Sequence, residues 1–422
     1  MIVLYILIAG SILGMALALL TFGSQNDNRN DEKEVAPFMH DAGLVPELVA
    51  EGLRFPTSMA FLDDGNILVL EKNEGSVRLV SHGRLLDEPI LRVNVTSEGE
   101  RGLLGIAIKE EDKKDNTPVF LYLTDRADNG KVRNRVYSFD WDGRTLLDKT
   151  LVLDLPGEPG PYHNGGKIAI GPRDGHLYAI IGDLSAGGGM LDNQISGRPL
   201  DDQSVIFRVN RHTGMAVKDN PFFNYSGDME KLRRYYAYGI RNSFGLDFDP
   251  MTGKLWITEN GPENYDEINI VDPGFNSGWH KVMGPISRTD ITISQLVNYD
   301  GSKYNDPVFS WKAPIGITDI EFFNSSRLGA KYENNVFVGD INNGNLYFFK
   351  VNQERDGLQL NSSIGLADLV ADPVGDNPLG EASPFIIGEK FGRITDIETG
   401  PDGNLYLLTY LDGKIYRITS RQ

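Results

Sequence analysis

His163 has the setting of a general base. It lies in the segment GPYHNGGKIAIGP, directly before an apolar run, and the glycines Gly160, Gly165 and Gly166 flank it. Glycine lets the backbone approach a ligand closely, and imidazole takes up and releases protons near neutral pH. We therefore expect a general base here if the segment opens into a binding pocket. The alternative is a turn histidine that hydrogen-bonds to the backbone.

Arg241 and Asn242 form a second candidate site. They lie in YAYGIRNSFGLDFDP, where aromatic and apolar residues surround the arginine, again just before an apolar run. A guanidinium in such surroundings holds a carboxylate or a similar anion through its fork of N–H groups. A bound anionic ligand and a buried ion pair within the protein both fit this pattern, and the local sequence leaves the two open.

The segment TENGPENYDEINIVDPGFNSGWH offers oxygen ligands. Gly261 and Pro262 turn the backbone among acidic residues that fall within nine positions, namely Glu259, Glu263, Asp266 and Glu267. Ca²⁺ takes about six to eight oxygen ligands, and hard oxygen donors on a sharply turned backbone can supply them. The spacing is not that of an EF-hand loop. A calcium site and a solvated acidic loop both fit the segment.

The composition excludes several other kinds of site. The chain of 422 residues has no cysteine, which excludes disulfides, zinc–thiolate centres, iron–sulfur clusters and a cysteine-linked lipid anchor. Its net charge of −18 argues against nucleic acid as a partner, because phosphate binding needs clustered Lys and Arg. No P-loop, dinucleotide-binding glycine fingerprint or HExxH motif occurs. Any metal site must use oxygen or imidazole ligands.

A repeat predicts the elements that position these residues. Short runs rich in Ile, Leu, Val and Tyr alternate with Asp-Gly, Asn-Gly and Pro-Asp-Gly turns, as in KIAIGPRDGHLYAIIGD and DIETGPDGNLYLLTYLDGKIYRI. Such turns join antiparallel strands. Six copies over about 380 residues give about 64 residues per unit, enough for a four-stranded blade. We therefore predict an all-β fold, a six-bladed β-propeller of four-stranded antiparallel blades. Seven or eight blades, or a pair of β-sandwiches, are the alternatives.

The N-terminal segment predicts export. Residues 1–22 carry no charged side chain, and at about 1.5 Å per residue they just span a hydrocarbon core of about 30 Å. We predict a hydrophobic helix that anchors the chain in a membrane, then a polar linker over 23–40 and the propeller domain over 41–422. A cleaved signal peptide is the alternative. Both place the domain outside the cytoplasm.

Taken together, the segments resemble the soluble quinoprotein glucose dehydrogenases and the related aldose sugar dehydrogenases. The matching stretches follow the family order over almost all of residues 45–418: GERGLLGIAI, YHNGGKIAIGP, LYAIIGD, GIRNSFGLDFDP, ENGPENYDEINIV and GRITDIETGPDGNLYLLT. The family fold is a six-bladed propeller. Its members oxidise the anomeric carbon of aldoses with pyrroloquinoline quinone (PQQ) and Ca²⁺, and pass the electrons to an external acceptor.

The resemblance implies roles for the residues of the base and the cofactor site. His163 looks like the catalytic base that removes the C1 hydroxyl proton, and Asp183, in LYAIIGD, looks like its supporting carboxylate. Arg241 and Asn242 match the pair that binds the quinone, which gives Arg241 a catalytic role as well. Further cofactor or substrate contacts are implied for Arg393 and Glu100.

The resemblance also implies two calcium sites. The carbonyls of Gly261 and Pro262 match ligands of the cofactor-bound calcium, and Glu267 with the carbonyl of Ser277 matches part of a second, structural site. Two cations of the family pattern are replaced. Asn342 and Asn343 lie where the family has a lysine, and Thr395 replaces a second arginine. Lys281 and Lys390 are the residues that could compensate.

Three functions are compatible with these features. The first is an exported PQQ- and Ca²⁺-dependent aldose dehydrogenase that forms lactones. The second is a non-enzymatic propeller that binds a glycan or a protein at the cell surface, and the third is a Ca²⁺-dependent hydrolase such as a lactonase. The joint occurrence of His163, Arg241 and the ENGPENYDE segment favours the first.

Overall fold

The computed structural model describes residues 36–63, 65–109, 117–194, 196–360 and 366–421. The chain from Pro37 to Gln422 forms one compact unit. Segment 1–22, with its predicted helix, lies outside the described residues, as does most of the predicted linker. Among the described residues, no helix has the length and apolar character needed to cross a membrane.

Strands make up almost all of the regular structure. In the first half of the chain they are β1 (Phe38–Met39), β2 (Leu44–Ala50), β3 (Pro56–Phe61), β4 (Asn66–Glu71), β5 (Ser76–Ser81), β6 (Arg84–Leu85), β7 (Leu91–Arg92), β8 (Leu103–Ile108), β9 (Thr117–Arg126), β10 (Val132–Trp141), β11 (Leu146–Pro156), β12 (Ile168–Ile170), β13 (Leu177–Ile181) and β14 (Val205–Val209). In the second half they are β15 (Tyr235–Tyr238), β16 (Leu246–Phe248), β17 (Leu255–Glu259), β18 (Asp266–Val271), β19 (Phe275–Asn276), β20 (Lys303–Tyr304), β21 (Phe309–Trp311), β22 (Ile317–Phe323), β23 (Asn335–Asp340), β24 (Leu346–Phe349), β25 (Val370–Ala371), β26 (Ile386–Glu389), β27 (Ile394–Thr399), β28 (Leu405–Thr409) and β29 (Lys414–Ser420). Short 3₁₀-helices cover Gly227–Arg234, Ile286–Arg288, Ile293–Gln295 and Gly380–Phe385.

The described strands group into six sheets, which we number along the chain. Their strand orders are β3-β4-β5-β6 with β7 on β5 (sheet 1), β8-β9-β10-β11 (sheet 2), β12-β13-β14-β15-β19-β20 (sheet 3), β16-β17-β18-β21-β25 (sheet 4), β22-β23-β24-β26-β1 (sheet 5) and β27-β28-β29-β2 (sheet 6). In sheet 6 the early strand β2 pairs with the last strand, β29, in antiparallel register. The prediction of an all-β propeller is confirmed.

The prediction of four strands in every blade is wrong. Only sheets 2 and 6 have four strands, and the others have five or six. The additions are two-residue strands at the outer edges, such as β7, β20 and β25, which come from the longer connections. Likewise β1, which the sequence analysis assigns to the linker, pairs with β26 and adds a fifth strand to sheet 5.

The core lies between the sheets. Six hydrophobic clusters each join two neighbouring sheets, for example sheets 6 and 1 through Leu408 and Val69. Because a middle strand is covered on both faces, its sequence is an unbroken apolar run instead of an alternating one. All five residues of β13 (LYAII) and β28 (LYLLT) are buried. The edge strand β11 instead exposes five consecutive residues.

The first strands of the sheets, β3, β8, β12, β16, β22 and β27, contact one another in a closed ring. Hydrogen bonds join their beginnings. Thr395 Oγ1 donates to the carbonyl of Pro56 at 3.0 Å, and Thr57 Oγ1 donates to the carbonyl of Leu103 at 2.8 Å. The residues that precede these strands therefore gather at one mouth of a central channel, and His163, Arg241 and Arg393 are among them.

A buried ion cluster lies deeper in the channel. Lys167 Nζ contacts Asp319 Oδ2 at 2.9 Å and Asp396 Oδ1 at 2.6 Å, and all three side chains are at most 10% exposed. Beyond it is a cavity of about 760 Å³ whose lining includes Lys167, Asp247 and Glu321. Burial raises the pKa of Asp247 to about 6 and that of Glu321 well above its usual value. Lys167 thus separates an acidic cavity from the mouth that holds His163.

Candidate active site

His163 and Asp183 form a hydrogen-bonded pair at the channel mouth. His163 Nδ1 donates to Asp183 Oδ1 at 2.6 Å, and the side chains are 16% and 6% exposed. With its proton on Nδ1, a neutral imidazole carries its lone pair on Nε2 and can accept a proton there. The backbone of His163 is in the left-handed region, with φ of 60°. Such a conformation is uncommon outside glycine and clusters at functional sites.

Asp183 is held by three donors. Besides His163, the backbone N of Ser185 donates to Oδ1 at 2.8 Å, and Trp279 Nε1 donates to Oδ2 at 2.8 Å. Burial by itself would raise the pKa of Asp183, but these hydrogen bonds and the nearby imidazole outweigh burial and lower it. The carboxylate therefore stays ionised and can stabilise a positive charge on His163.

Glu100 and Asn242 join the loop of His163 to two other sheets. Glu100 Oε2 accepts from the backbone N of His163 at 2.7 Å and from Asn242 Nδ2 at 3.1 Å. Asn242 Oδ1 in turn accepts from the backbone N of Gly165 at 3.2 Å. A side chain at Gly165 would lie 2.5 Å from the carbonyl of Ile180, so this turn needs glycine.

Arg241 is buried beside the pair without forming an ion pair. It is 8% exposed, its Nη1 donates to the carbonyl of Asn260 at 2.9 Å, and its Nε has no hydrogen-bond partner. Burial lowers the pKa of Arg241, although Asp183 and Glu100 oppose this through longer-range attraction. The ion pairs of the described residues do not include Arg241. The alternative of a buried ion pair is therefore wrong, and the guanidinium keeps donor capacity for a ligand.

Two buried glutamates link Arg241 to the predicted structural calcium site. Glu259 accepts from the backbone N of Arg241 at 2.7 Å and from Ser277 Oγ at 2.6 Å. Asn269 Nδ2 donates to Glu267 Oε2 at 2.9 Å and to Glu259 at 3.4 Å. Burial raises the pKa of both glutamates, and the carboxylate of Glu259 raises that of Glu267 further. Glu267 and Ser277 therefore belong to one buried, oxygen-rich cluster.

Gly261 and Pro262 turn the backbone next to this cluster. The backbone N of Gly261 donates to Asp266 Oδ1 at 3.0 Å, and Asp266 Oδ2 also accepts from the backbone of Gly316 at 2.8 Å. A Cβ at Gly261 would lie 2.0 Å from the carbonyl of Tyr265. Among the described residues, no group of three or more His, Asp or Glu side chains is arranged to hold a metal ion. The two calcium sites stay predictions.

Arg393 lies directly before β27. It is partly buried, and its carbonyl accepts from the backbone N of Tyr410 at 2.8 Å. The positions that lack family cations are engaged otherwise, because Thr395 donates to the carbonyl of Pro56 and Asn343 Nδ2 donates to Asp340 Oδ2 at 3.2 Å. Lys281 Nζ donates to the carbonyl of Gln295 at 2.5 Å, and compensation by Lys281 or Lys390 stays a prediction.

Comparison with known proteins identifies the family. A sequence model of the Glucose / Sorbosone dehydrogenase family matches residues 53–417. The chain belongs to this family. It is 26% identical over 381 residues to the aldose sugar dehydrogenase YliI of Escherichia coli K12, which covers 89% of this chain and 92% of that protein. Family membership supports a sugar oxidoreductase, as the resemblance implies.

Solved structures of the family share the fold. A crystal structure of a glucose dehydrogenase superposes with a TM-score of 0.70 at 25% identity, over 89% of this chain and all of that one. The PQQ-bound aldose sugar dehydrogenase of Streptomyces coelicolor superposes with a TM-score of 0.62 at 24% identity, over 92% of this chain and all of that one.

The sequence missed three residues that organise the site. Glu259 is noted only as part of an acidic segment, and Trp279 and Lys167 are not singled out. Trp279 and Asp183 are 96 positions apart, and Lys167 and Asp396 are 229 apart. No local pattern signals such pairs, although the Trp of the segment NSGWH lies two positions after the predicted ligand Ser277 and is a weak hint.

Proposed function

We propose that the protein is an extracytoplasmic dehydrogenase that oxidises the C1 hydroxyl of an aldose to the lactone with PQQ and Ca²⁺. The observation that carries the proposal is the hydrogen-bonded pair of His163 and Asp183 beside Arg241, a buried guanidinium with a partnerless Nε. Family membership supplies the sugar oxidoreductase class. We also infer that each of the six sheets is one blade.

The residues present fit PQQ. A buried cation that has no counter-ion among the described residues suits an anion, and PQQ carries three carboxylates. Arg241, Asn242 and Arg393 would hold it, with Glu100 at the substrate side. A relative of this chain, from Streptomyces coelicolor, is PQQ-bound. The group bound there would supply a quinone as hydride acceptor for the sugar, and an external acceptor would receive the electrons.

The oxygen donors fit Ca²⁺, which prefers carboxylate and carbonyl ligands. The carbonyls of Gly261 and Pro262 would hold the ion next to the cofactor. Glu267 and the carbonyl of Ser277 would hold a structural ion. The buried Glu259 would stabilise that site through its hydrogen bond with the Ser277 hydroxyl. A bound cation would also reduce the repulsion between the two buried glutamates.

The protein's own groups account for the proton transfer. His163 takes the C1 hydroxyl proton on Nε2, and Asp183 stabilises the resulting imidazolium across the 2.6 Å hydrogen bond. Glu100 fixes the backbone of His163, so that the ring is positioned before substrate binds. The guanidinium of Arg241 stabilises negative charge that develops next to it during the reaction. Because Arg241 is buried away from water, this electrostatic stabilisation is stronger than it would be at the surface.

The experiment is reconstitution of the purified full chain with PQQ and Ca²⁺, followed by assay with aldoses and an artificial electron acceptor. We expect sugar-dependent reduction of PQQ, visible in its absorbance, and loss of that signal in His163→Ala. The control is Arg173→Ala. Arg173 Nη2 donates to the carbonyl of Met251, away from the base and the predicted cofactor site, so this variant should keep the signal. No spectral change with any aldose would overturn the proposal, and metal-dependent lactone hydrolysis without PQQ would favour the hydrolase instead.

The cellular setting is part of the proposal. We propose that residues 1–22 anchor the chain in a membrane, or are cleaved on export, and that the propeller works outside the cytoplasm. Expression of the full chain, followed by membrane fractionation and protease treatment of intact cells, tests this. Full protection of the domain from the protease would contradict it.

A further inference from the structure

Trp279 differs from the other buried tryptophans in what its indole N–H contacts. Trp256, Trp279 and Trp311 are at most 6% exposed. The Nε1 atoms of Trp256 and Trp311 have no hydrogen-bond partner in the part of the chain that the structure describes, so these two rings act by packing. Trp279 Nε1 donates to Asp183 Oδ2 at 2.8 Å. Its polar atom therefore contacts the carboxylate that supports the base.

The backbone of Trp279 is fixed on both sides of the ring. Its N donates to the carbonyl of Gly239 at 3.2 Å, and its carbonyl accepts from Asn193 Nδ2 at 2.8 Å. Asn193 is itself locked to Asn276 by hydrogen bonds in both directions, at 2.8 and 2.9 Å. The indole thus reaches Asp183 from a rigid support.

The face of the same ring contacts Arg241. The guanidinium carbon lies 5.3 Å from the ring centroid, within the range of a cation–π interaction. This contact is made by the buried cation that lacks an ion-pair partner. One side chain therefore touches both the support of the base and the predicted anion-binding arginine.

We propose that Trp279 is a positioning residue that fixes the relative placement of His163 and Arg241. This inference rests on the proposed function. The indole holds Asp183 in the rotamer in which Oδ1 meets His163, while its face sets the side chain of Arg241. The titratable and charged groups around Asp183 are His163, Arg241, Asp192 and Glu259. Trp279 is the neutral member of this group, and it adds a donor without adding charge.

The test is Trp279→Phe, which keeps an aromatic face for Arg241 but replaces the indole by a smaller phenyl ring that has no N–H. In the protein without cofactor, we expect the downfield NMR resonance of the His163 Nδ1 proton to shift and to exchange faster with water. In the reconstituted enzyme, we expect kcat to fall roughly 10- to 150-fold, the loss of one charge-assisted hydrogen bond, with KM changed less than twofold. The acidic limb of the pH profile should move to higher pH, because Asp183 loses a donor that lowers its pKa.

Trp256→Phe is the matched control, because it removes a buried indole whose N–H has no partner. It should leave the NMR resonance and the pH profile unchanged. Combining Trp279→Phe with Asp183→Asn should add little to the effect of Asp183→Asn alone, since Trp279 acts on the base through the Asp183 carboxylate. An unchanged resonance in Trp279→Phe, or the same shift in Trp256→Phe, would overturn the inference. If the wild-type chain lacks dehydrogenase activity, the proposed function fails, whereas the NMR comparison still decides the role of Trp279.

Discussion

Replacement of Asp183 by Asn separates charge from shape at the base. The amide has the size of the carboxylate but only one acceptor oxygen. In the wild-type site Oδ1 accepts from His163 and Ser185, and Oδ2 accepts from Trp279. If the amide oxygen replaces Oδ1, the NH₂ group faces the indole N–H. If it replaces Oδ2, the NH₂ group faces His163 Nδ1 and favours the tautomer with its proton on Nε2, which cannot accept the C1 hydroxyl proton.

Either orientation loses at least one charge-assisted hydrogen bond. Such a bond contributes about 1.5–3 kcal/mol, so kcat/KM should fall roughly 10- to 150-fold. The assay is initial rate with an aldose and an artificial acceptor, after reconstitution with PQQ and Ca²⁺. Asp249→Asn is the control, because Asp249 is likewise a buried aspartate but pairs with Arg355 away from the channel mouth. A kcat/KM for Asp183→Asn within twofold of wild type would refute the assignment of Asp183 as the support of the base.

Stability should change with pH in the same variant. Hydrogen bonding lowers the pKa of Asp183 in the folded state, so its ionised form stabilises the fold above the unfolded pKa of about 4. That contribution is lost as the pH falls through the folded pKa. Urea unfolding should therefore show a larger loss of stability for Asp183→Asn at pH 7 than at pH 3. Equal losses at the two pH values would contradict the lowered pKa.

Three further predictions concern the cofactor site and the channel. Arg241→Gln should weaken PQQ binding roughly 10- to 150-fold, because it removes one charge-assisted hydrogen bond. Calorimetric titration measures this affinity, and an unchanged value would exclude Arg241 as a PQQ ligand. Lys167→Met leaves Asp319 and Asp396 without their cation, so the free energy of unfolding measured in urea should fall by about 3–5 kcal/mol. A fall below about 1 kcal/mol would contradict the pairing. Burial raises the pKa of Glu321, so its ionised form destabilises the fold as the pH rises above the unfolded value of about 4. Glu321→Gln should therefore raise the melting temperature at pH 8 more than at pH 4, and an equal change would contradict this.

Local patterns predicted what depends on local structure. The turn glycines and apolar runs predicted the strands, since a hairpin such as β27–β28 needs its Pro-Asp-Gly turn, where Gly403 has φ of 78°. The edge additions to the sheets were missed because two-residue strands carry too little pattern to detect. The pairing of His163 with Asp183 came from the family resemblance, not from their spacing of 20 residues.

Contacts between distant segments could not be predicted in the same way. Glu259 lies among four acidic residues that look alike in the sequence, yet Glu263 is exposed while Glu259 is fully buried and accepts from Ser277 and Arg241. Which carboxylate is buried depends on β17 being a middle strand of its sheet, and that is settled by the packing of several sheets together.

The pairing of β2 with β29 also constrains the order of folding. Leu44 meets Ser420 in that ladder, so the sheet that holds both strands cannot form until the end of the chain is available. At about 5–20 residues per second, a newly made β2 waits roughly 20 to 75 s for its partner. During this interval the apolar faces of β2 and of the first sheet that later pack against the last strands are uncovered, so this early segment is the one most exposed to misfolding. Loss of the last ten residues would therefore remove the partner strand of β2 and open the ring of sheets between the first and the last sheet.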